Sequence, residues 1–108
     1  MPRSKARAMP FKSKLLTSFR CLQGDTVTSA GFGRTLQVGE DQVVLESPDA
    51  FPVGQRLALE FLLDDNQLAD AHGHVTRVKK GMGLYRVNVE LEKLPVKTRR
   101  LLARQAVG

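Results

Sequence analysis

From residue 57 to residue 91 the chain alternates apolar and polar positions with a period of two. Leu57, Leu59, Phe61 and Leu63 share one side of the register, with Ala58, Glu60 and Leu62 between them. Tyr85, Val87, Val89 and Leu91 do the same against Arg86, Asn88 and Glu90. Successive strand side chains point to opposite faces, so each run predicts an antiparallel strand with one face in a core. Between them, residues 73–78 predict a third strand, anchored by Val75 and Val78. Asp64-Asp65-Asn66-Gln67 and Lys79-Lys80-Gly81-Met82-Gly83 read as the intervening turns.

The first half is less regular. Phe11, Leu15, Phe19 and Cys21 fall at even spacings among Lys12, Lys14 and Arg20, which predicts a strand over 11–22, although Leu16 and Leu22 break the alternation. Gly24-Asp25 is turn chemistry, and Ala30-Gly31-Phe32-Gly33 predicts a flexible entry into the next strand. Residues 34–38 and 42–46 are short strands around a Gly39-Glu40-Asp41 turn. Pro48 and Pro52 place 47–52 in a loop, since proline cannot donate to a sheet ladder. Residues 94–105 predict a helix: Pro95 suits a first turn, and Thr98, Leu101, Leu102 and Gln105 follow helical spacing. Residues 1–10 are polar and basic and read as a mobile arm, leaving 11–108 as one domain.

Composition narrows the class. A chain of 108 residues, 42% of them hydrophobic, suits one domain with one modest core. No apolar run approaches the roughly 18 residues of a membrane span, and no apolar segment follows the basic N-terminus as in a secretory signal. Cys21 is the single cysteine, which excludes an internal disulfide and fits a cytoplasmic location. The net charge of +6 is gathered at the ends: Arg3, Lys5, Arg7, Lys12, Lys14 and Arg20 precede the first acid, Asp25, and Lys93, Lys97, Arg99, Arg100 and Arg104 close the chain. Such clusters attract anionic partners, and they equally serve as solvated tails.

Catalytic chemistry finds little support. His72-Gly73-His74 puts two imidazoles on one side of a strand near Asp70, but no further ligand completes a metal set. Cys21 has basic neighbours but no paired histidine, and reads as a small buried hydrophobe. Asp64-Asp65 sits in turn chemistry, where solvated acids are the default. Neither GxGxxG nor GxxxxGK[ST] occurs. A non-catalytic protein without a cofactor is expected.

The order of elements resembles the PilZ domain, a bacterial module. Gly54 opens the long alternating strand, Val75-Thr76-Arg77-Val78 is similar to the family's valine-arginine strand, and Val87-Asn88-Val89-Glu90-Leu91 stands in its terminal strand. Asn88 replaces the usual glycine there, and Leu91 the usual phenylalanine. The resemblance covers residues 34–105. It implies an all-β fold, a small antiparallel six-stranded barrel with a C-terminal helix, and a regulatory role that in many members involves binding cyclic di-GMP.

The family's ligand motifs are altered. Arg3-Ser4-Lys5-Ala6-Arg7 has the RxxxR form, and two arginines can clamp phosphates and read guanine O6 and N7. In the [D/N]xSxxG motif, however, Gln37, Gly39 and Gln42 fill the three defined positions, and none matches. Glu40 and Asp41 add acids beside them. The expectation is a regulatory module that acts on a protein partner and binds cyclic di-GMP weakly or not at all. One alternative is a genuine receptor using Arg3 and Arg7, or Arg34 and Arg77 on the barrel. Another is a basic barrel for RNA or single-stranded DNA, which is disfavoured by an aromatic content of 6% with one tyrosine and no tryptophan.

Overall fold

The computed structural model describes residues 11–12, 14–39, 41–63 and 65–107, with the side chains of 11, 12 and 103–107 left out of account. The elements are β1 (Phe11–Lys12), β2 (Leu16–Gln23), β3 (Thr26–Val38), β4 (Gln42–Ser47), β5 (Arg56–Leu62), β6 (Leu68–Lys80), β7 (Tyr85–Leu91) and α1 (Val96–Val107). Every strand pairing is antiparallel. The order β3-β2-β5-β6-β7-β4 returns from β4 to β3, so six strands close a barrel, and the two-residue β1 lies beside the end of β3. This is the six-stranded barrel with a C-terminal helix that the resemblance implies.

The alternating positions fill the barrel. Phe19, Val38, Val43, Leu45, Leu57, Leu59, Phe61, Val75, Val87 and Val89 form its core with almost no exposed surface. Helix α1 packs Leu101 and Leu102, together with Leu94 just before it, onto the same core. Thr98 on α1 donates from Oγ1 to the Asp70 carbonyl at 3.0 Å and so fastens the helix to β6. No described helix is long and apolar enough to cross a membrane.

Two bulges explain spacings that strict alternation cannot. Thr35 and Val38 are three residues apart, yet both are fully buried. The β3–β4 register slips between Thr35 and Gln37, so Leu36 is extra and the alternation restarts. Val75, fully buried, and Val78, partly buried against the same core, show the same spacing on β6: the register against β7 slips between Val75 and Arg77. Thr76 donates its hydroxyl to the Asn88 carbonyl at 3.3 Å and ties that bulge down.

The structure corrects several boundaries. Residues 11–22 are two strands, because the chain breaks at Leu15: its N–H donates to Thr35 Oγ1 at 2.8 Å, and its carbonyl accepts from Thr35 N and Thr17 Oγ1 at 3.0 Å each. Residues 30–33 belong to β3, which begins at Thr26 and is held there by the β2 ladder. Gly33 passes so close to β4 that an added Cβ would lie 2.6 Å from the Glu46 carbonyl oxygen. Strand β6 starts at Leu68 and takes in Lys79 and Lys80, which the turn reading had separated from it. The helix begins at Val96, leaving Leu94 and Pro95 ahead of it.

Candidate functional site

Four neighbouring strands place one outward residue each in a lateral row. Gln37 on β3 pairs with Val44 on β4, Val44 with Asn88 on β7, and Asn88 with Arg77 on β6. Strands lie about 4.8 Å apart, so this row spans roughly 14 Å of outer wall. It forms the floor of an open groove of about 740 Å3, completed by Lys14, Leu36, Lys79 and Arg86. Both bulges open into it, since Leu36 and Arg77 are the residues they re-aim.

The lining holds four cations, two side-chain amides and two aliphatic residues, with no carboxylate. The nearest acids in register stand one row to either side: Glu46 between Arg34 and Arg86, and Glu90 between Gln42 and His74. Guanidinium groups pair with phosphate through two parallel N–H donors, and amides both donate to and accept from base edges. Leu36 and Val44 offer an apolar seat between them. The face thus offers donors suited to phosphate oxygens beside an apolar seat.

The residues expected from the altered motif separate. Gln37 lines the groove. Gln42 is exposed on the same outer face of β4 but one row away, opposite Glu90. Gly39 is buried in the β3–β4 turn, where its N–H donates to the Gln42 carbonyl at 2.9 Å, so this position serves the turn. Arg3, Arg7 and Glu40 lie outside the described residues. Asp41 is half-buried, and its carbonyl accepts from Leu91 N at 2.8 Å. Arg77, one of the two fallback arginines, is in the groove, whereas Arg34 is in the adjoining row. Lys14, Lys79, Arg86 and Asn88 were not expected as site residues. Alternation marks Arg86 and Asn88 as outward, but nothing local says which strands flank them.

The remaining chemical candidates stay apart. His72 and His74 are both exposed on the outer face of β6, and His74 Nε2 approaches Glu90 Oε1 at 3.5 Å. Among the described residues no group of three or more His, Cys, Asp or Glu could hold a metal ion. Cys21 is buried in the core, as its small apolar character suggests. Asp65 accepts from Gln67 N at 3.2 Å within its turn, and Asp64 lies outside the described residues.

No family model and no curated relative matches the sequence. Solved structures do match. The chain superposes on the inhibitor of motility MotI/DgrA of Bacillus subtilis with a TM-score of 0.76 at 11% identity, covering 99% of this chain and 51% of that one. It thus spans about half the length of MotI/DgrA. It superposes on the PilZ domain of YcgR from Escherichia coli, solved with c-di-GMP, with a TM-score of 0.72 at 11% identity over 97% of this chain and 90% of that one. For the PilZ domain of CeSA from a cellulose-synthesizing bacterium the values are 0.67 and 12%, over 94% and 97% of the two chains. At these identities the likeness is one of fold, and the fold is PilZ-like.

Proposed function

We propose that this PilZ-like barrel is a non-catalytic regulatory module whose outer groove takes a phosphate-bearing ligand of the cyclic dinucleotide class and passes the signal to a protein partner. The observation that carries this reading is the registered row Gln37–Val44–Asn88–Arg77, ringed by Lys14, Lys79 and Arg86 with no carboxylate in the lining. Cyclic di-GMP is the ligand to try first, because the PilZ domain of YcgR was solved with it. Arg3 and Arg7 then close over the groove and present a new surface to the partner. Binding is weak. Gln37 and Gly39 lack the carboxylate and hydroxyl of the family motif, and each lost partner costs about 1–3 kcal/mol. Two such losses carry a micromolar binder to nearly millimolar.

Calorimetric titration tests this. Cyclic di-GMP gives a weak, saturable isotherm, a generic RNA of equal phosphate concentration does not, and Arg86→Glu weakens the nucleotide at least about tenfold without changing the melting temperature. A low-micromolar complex indifferent to Arg86→Glu overturns the assignment of the groove.

A second reading has its own support: a degenerate adaptor that binds a protein and no nucleotide. Gly39 is committed to the β3–β4 turn, and an outward apolar set of Leu16, Phe32, Leu62 and Leu68, none of which lines the groove, is 38–66% exposed on β2, β3, β5 and β6. Absence of any nucleotide heat at low salt selects it. A nucleic-acid role draws little from the groove, whose lining contains no aromatic side chain for bases to stack on.

A further inference from the structure

Strand β3 is longer than the strand that closes the barrel against it. β2 pairs with β3 from Gln23↔Thr26 to Leu16↔Arg34, but β4 reaches β3 only from Arg34 to Val38. The other edge of residues 26–32 therefore carries no strand, whereas Gly33 already backs onto Glu46 of β4. Among the described residues no backbone hydrogen bond from elsewhere in the chain reaches it. After the bulge at Cys21/Leu22 the ladder is regular from Ser29 to Gly33, so this edge is straight over that stretch.

The stretch itself carries none of the charges or prolines that commonly protect an open edge. Native sheets blunt open edges with lysine, proline or a covering segment. Residues 26–33 read Thr-Val-Thr-Ser-Ala-Gly-Phe-Gly, with neither a charge nor a proline. Phe32 is 66% exposed and Val27 50%. A cleft of about 410 Å3 runs beside the edge instead of a strand. Thr28, Ser29 and Ala30 form one wall, and the loop residues Asp49, Ala50 and Pro52 form the other. Its floor is apolar: Phe19 and Phe51 meet edge to face with ring centroids 5.1 Å apart, beside Cys21. Asp49 is the only ionisable carboxylate in the lining. Its Oδ2 stands 3.3 Å from where a Cβ on Gly31 would sit, against the inner side of the edge. Among the described residues no cation lies within ion-pair distance of Asp49.

We infer that residues 26–32 of β3 accept an extended segment of a partner protein as an added strand, seated in the cleft between β3 and the 49–52 loop. A row of unpaired backbone donors and acceptors recognises another extended backbone. The side chains set the chemistry of the segment. It has no proline at the pairing positions, an apolar residue beside Phe32 on the outer face, and a lysine or arginine facing Asp49 on the inner one. A second copy of the chain fits poorly, because two molecules of net charge +6 repel each other. This edge lies on the part of β3 that does not line the basic groove, so the inference is independent of the groove's ligand.

The test uses a displayed library of random peptides about ten residues long, selected on the immobilised full chain. Consecutive amides of β3 point alternately to β2 and to the open edge. Of Ser29→Pro and Ala30→Pro, therefore, one disrupts the β2 ladder and the other removes only an open-edge donor and keeps the wild-type melting temperature. Selected peptides bind the well-folded proline variant at least about tenfold more weakly than the parent chain. N-methylation along the peptide abolishes binding at alternate positions only, the period of a paired strand. Asp49→Lys leaves β3 untouched and weakens the basic peptides by a similar factor, which keeps the test decisive if both prolines unfold the barrel. The inference is overturned if no enriched peptide depends on these residues. It is equally overturned if sedimentation equilibrium shows a dimer that the edge proline dissolves, because the occupant is then a second copy.

Discussion

Phe61 loses its whole surface to the core, and its neighbours in register, Thr17 on β2 and Ala69 on β6, are buried as well. Phe61→Ala should therefore cost about 3–5 kcal/mol, the range for removing a fully buried aromatic ring. Chemical denaturation reads this directly, and an unchanged midpoint would contradict the placement of β5. Gly33 shows the opposite constraint. An added Cβ meets the Glu46 carbonyl oxygen at 2.6 Å, a backbone atom that cannot swing away. Gly33→Ala should push β3 from β4 and destabilise by about 1–3 kcal/mol, the usual cost of overpacking. Thermal unfolding of that variant, compared with Gly24→Ala where no atom lies within 4 Å, separates steric crowding from backbone strain.

At the scale of the element, the bulges in β3 and β6 matter most. Each inserts one residue and so turns a spacing of three into two inward positions, Thr35 with Val38 and Val75 with Val78. Each also delivers a residue to the groove, Leu36 from β3 and Arg77 from β6. The β3–β4 turn carries the altered motif. Gln37→Asp, Gly39→Ser and Gln42→Gly together restore the family pattern, and the triple variant should bind cyclic di-GMP at least about tenfold more tightly than the parent chain. Calorimetry of the two proteins side by side gives the answer. Equal affinity would mean that the turn no longer contributes to the ligand and that the groove cations act alone.

For the molecule as a whole, charge is the lever. The chain carries +6 overall, and four cations line one groove of the barrel while Asp49 marks the cleft beside the open edge of β3. Solvent-exposed charges are screened over about 8 Å at physiological ionic strength and over about 3 Å at 1 M. Raising salt should therefore weaken an anionic ligand in the groove steadily, while a strand held mainly by backbone hydrogen bonds should lose only the share that Asp49 contributes. Titrations of both ligands across a salt series check this. A groove ligand indifferent to salt would exclude the cations as its holders.

The inward faces of the strands were legible in the chain itself, because alternation is a local consequence of strand geometry and needs no knowledge of neighbours. Leu59, Phe61, Val75, Val87 and Val89 were placed in the core that way, and they are there. The helix was legible for the same reason, within two residues at its start. The first half of β3 was not. Its residues are exposed on both faces and rich in glycine, serine and threonine, so only hydrogen bonds to β2 reveal it as a strand. Gln37 and Arg77 were named singly, but the groove that joins them and the open edge could not be read. Gln37 and Arg77 are distant in sequence, and they share a surface because β4 and β7 lie between β3 and β6 in the closed sheet. The edge exists because β4 ends its pairing at Arg34 while β3 continues to Thr26. Periodicity is a property of one strand and is written in its residues. Adjacency and unequal length are relations between strands, and only the folded barrel decides them.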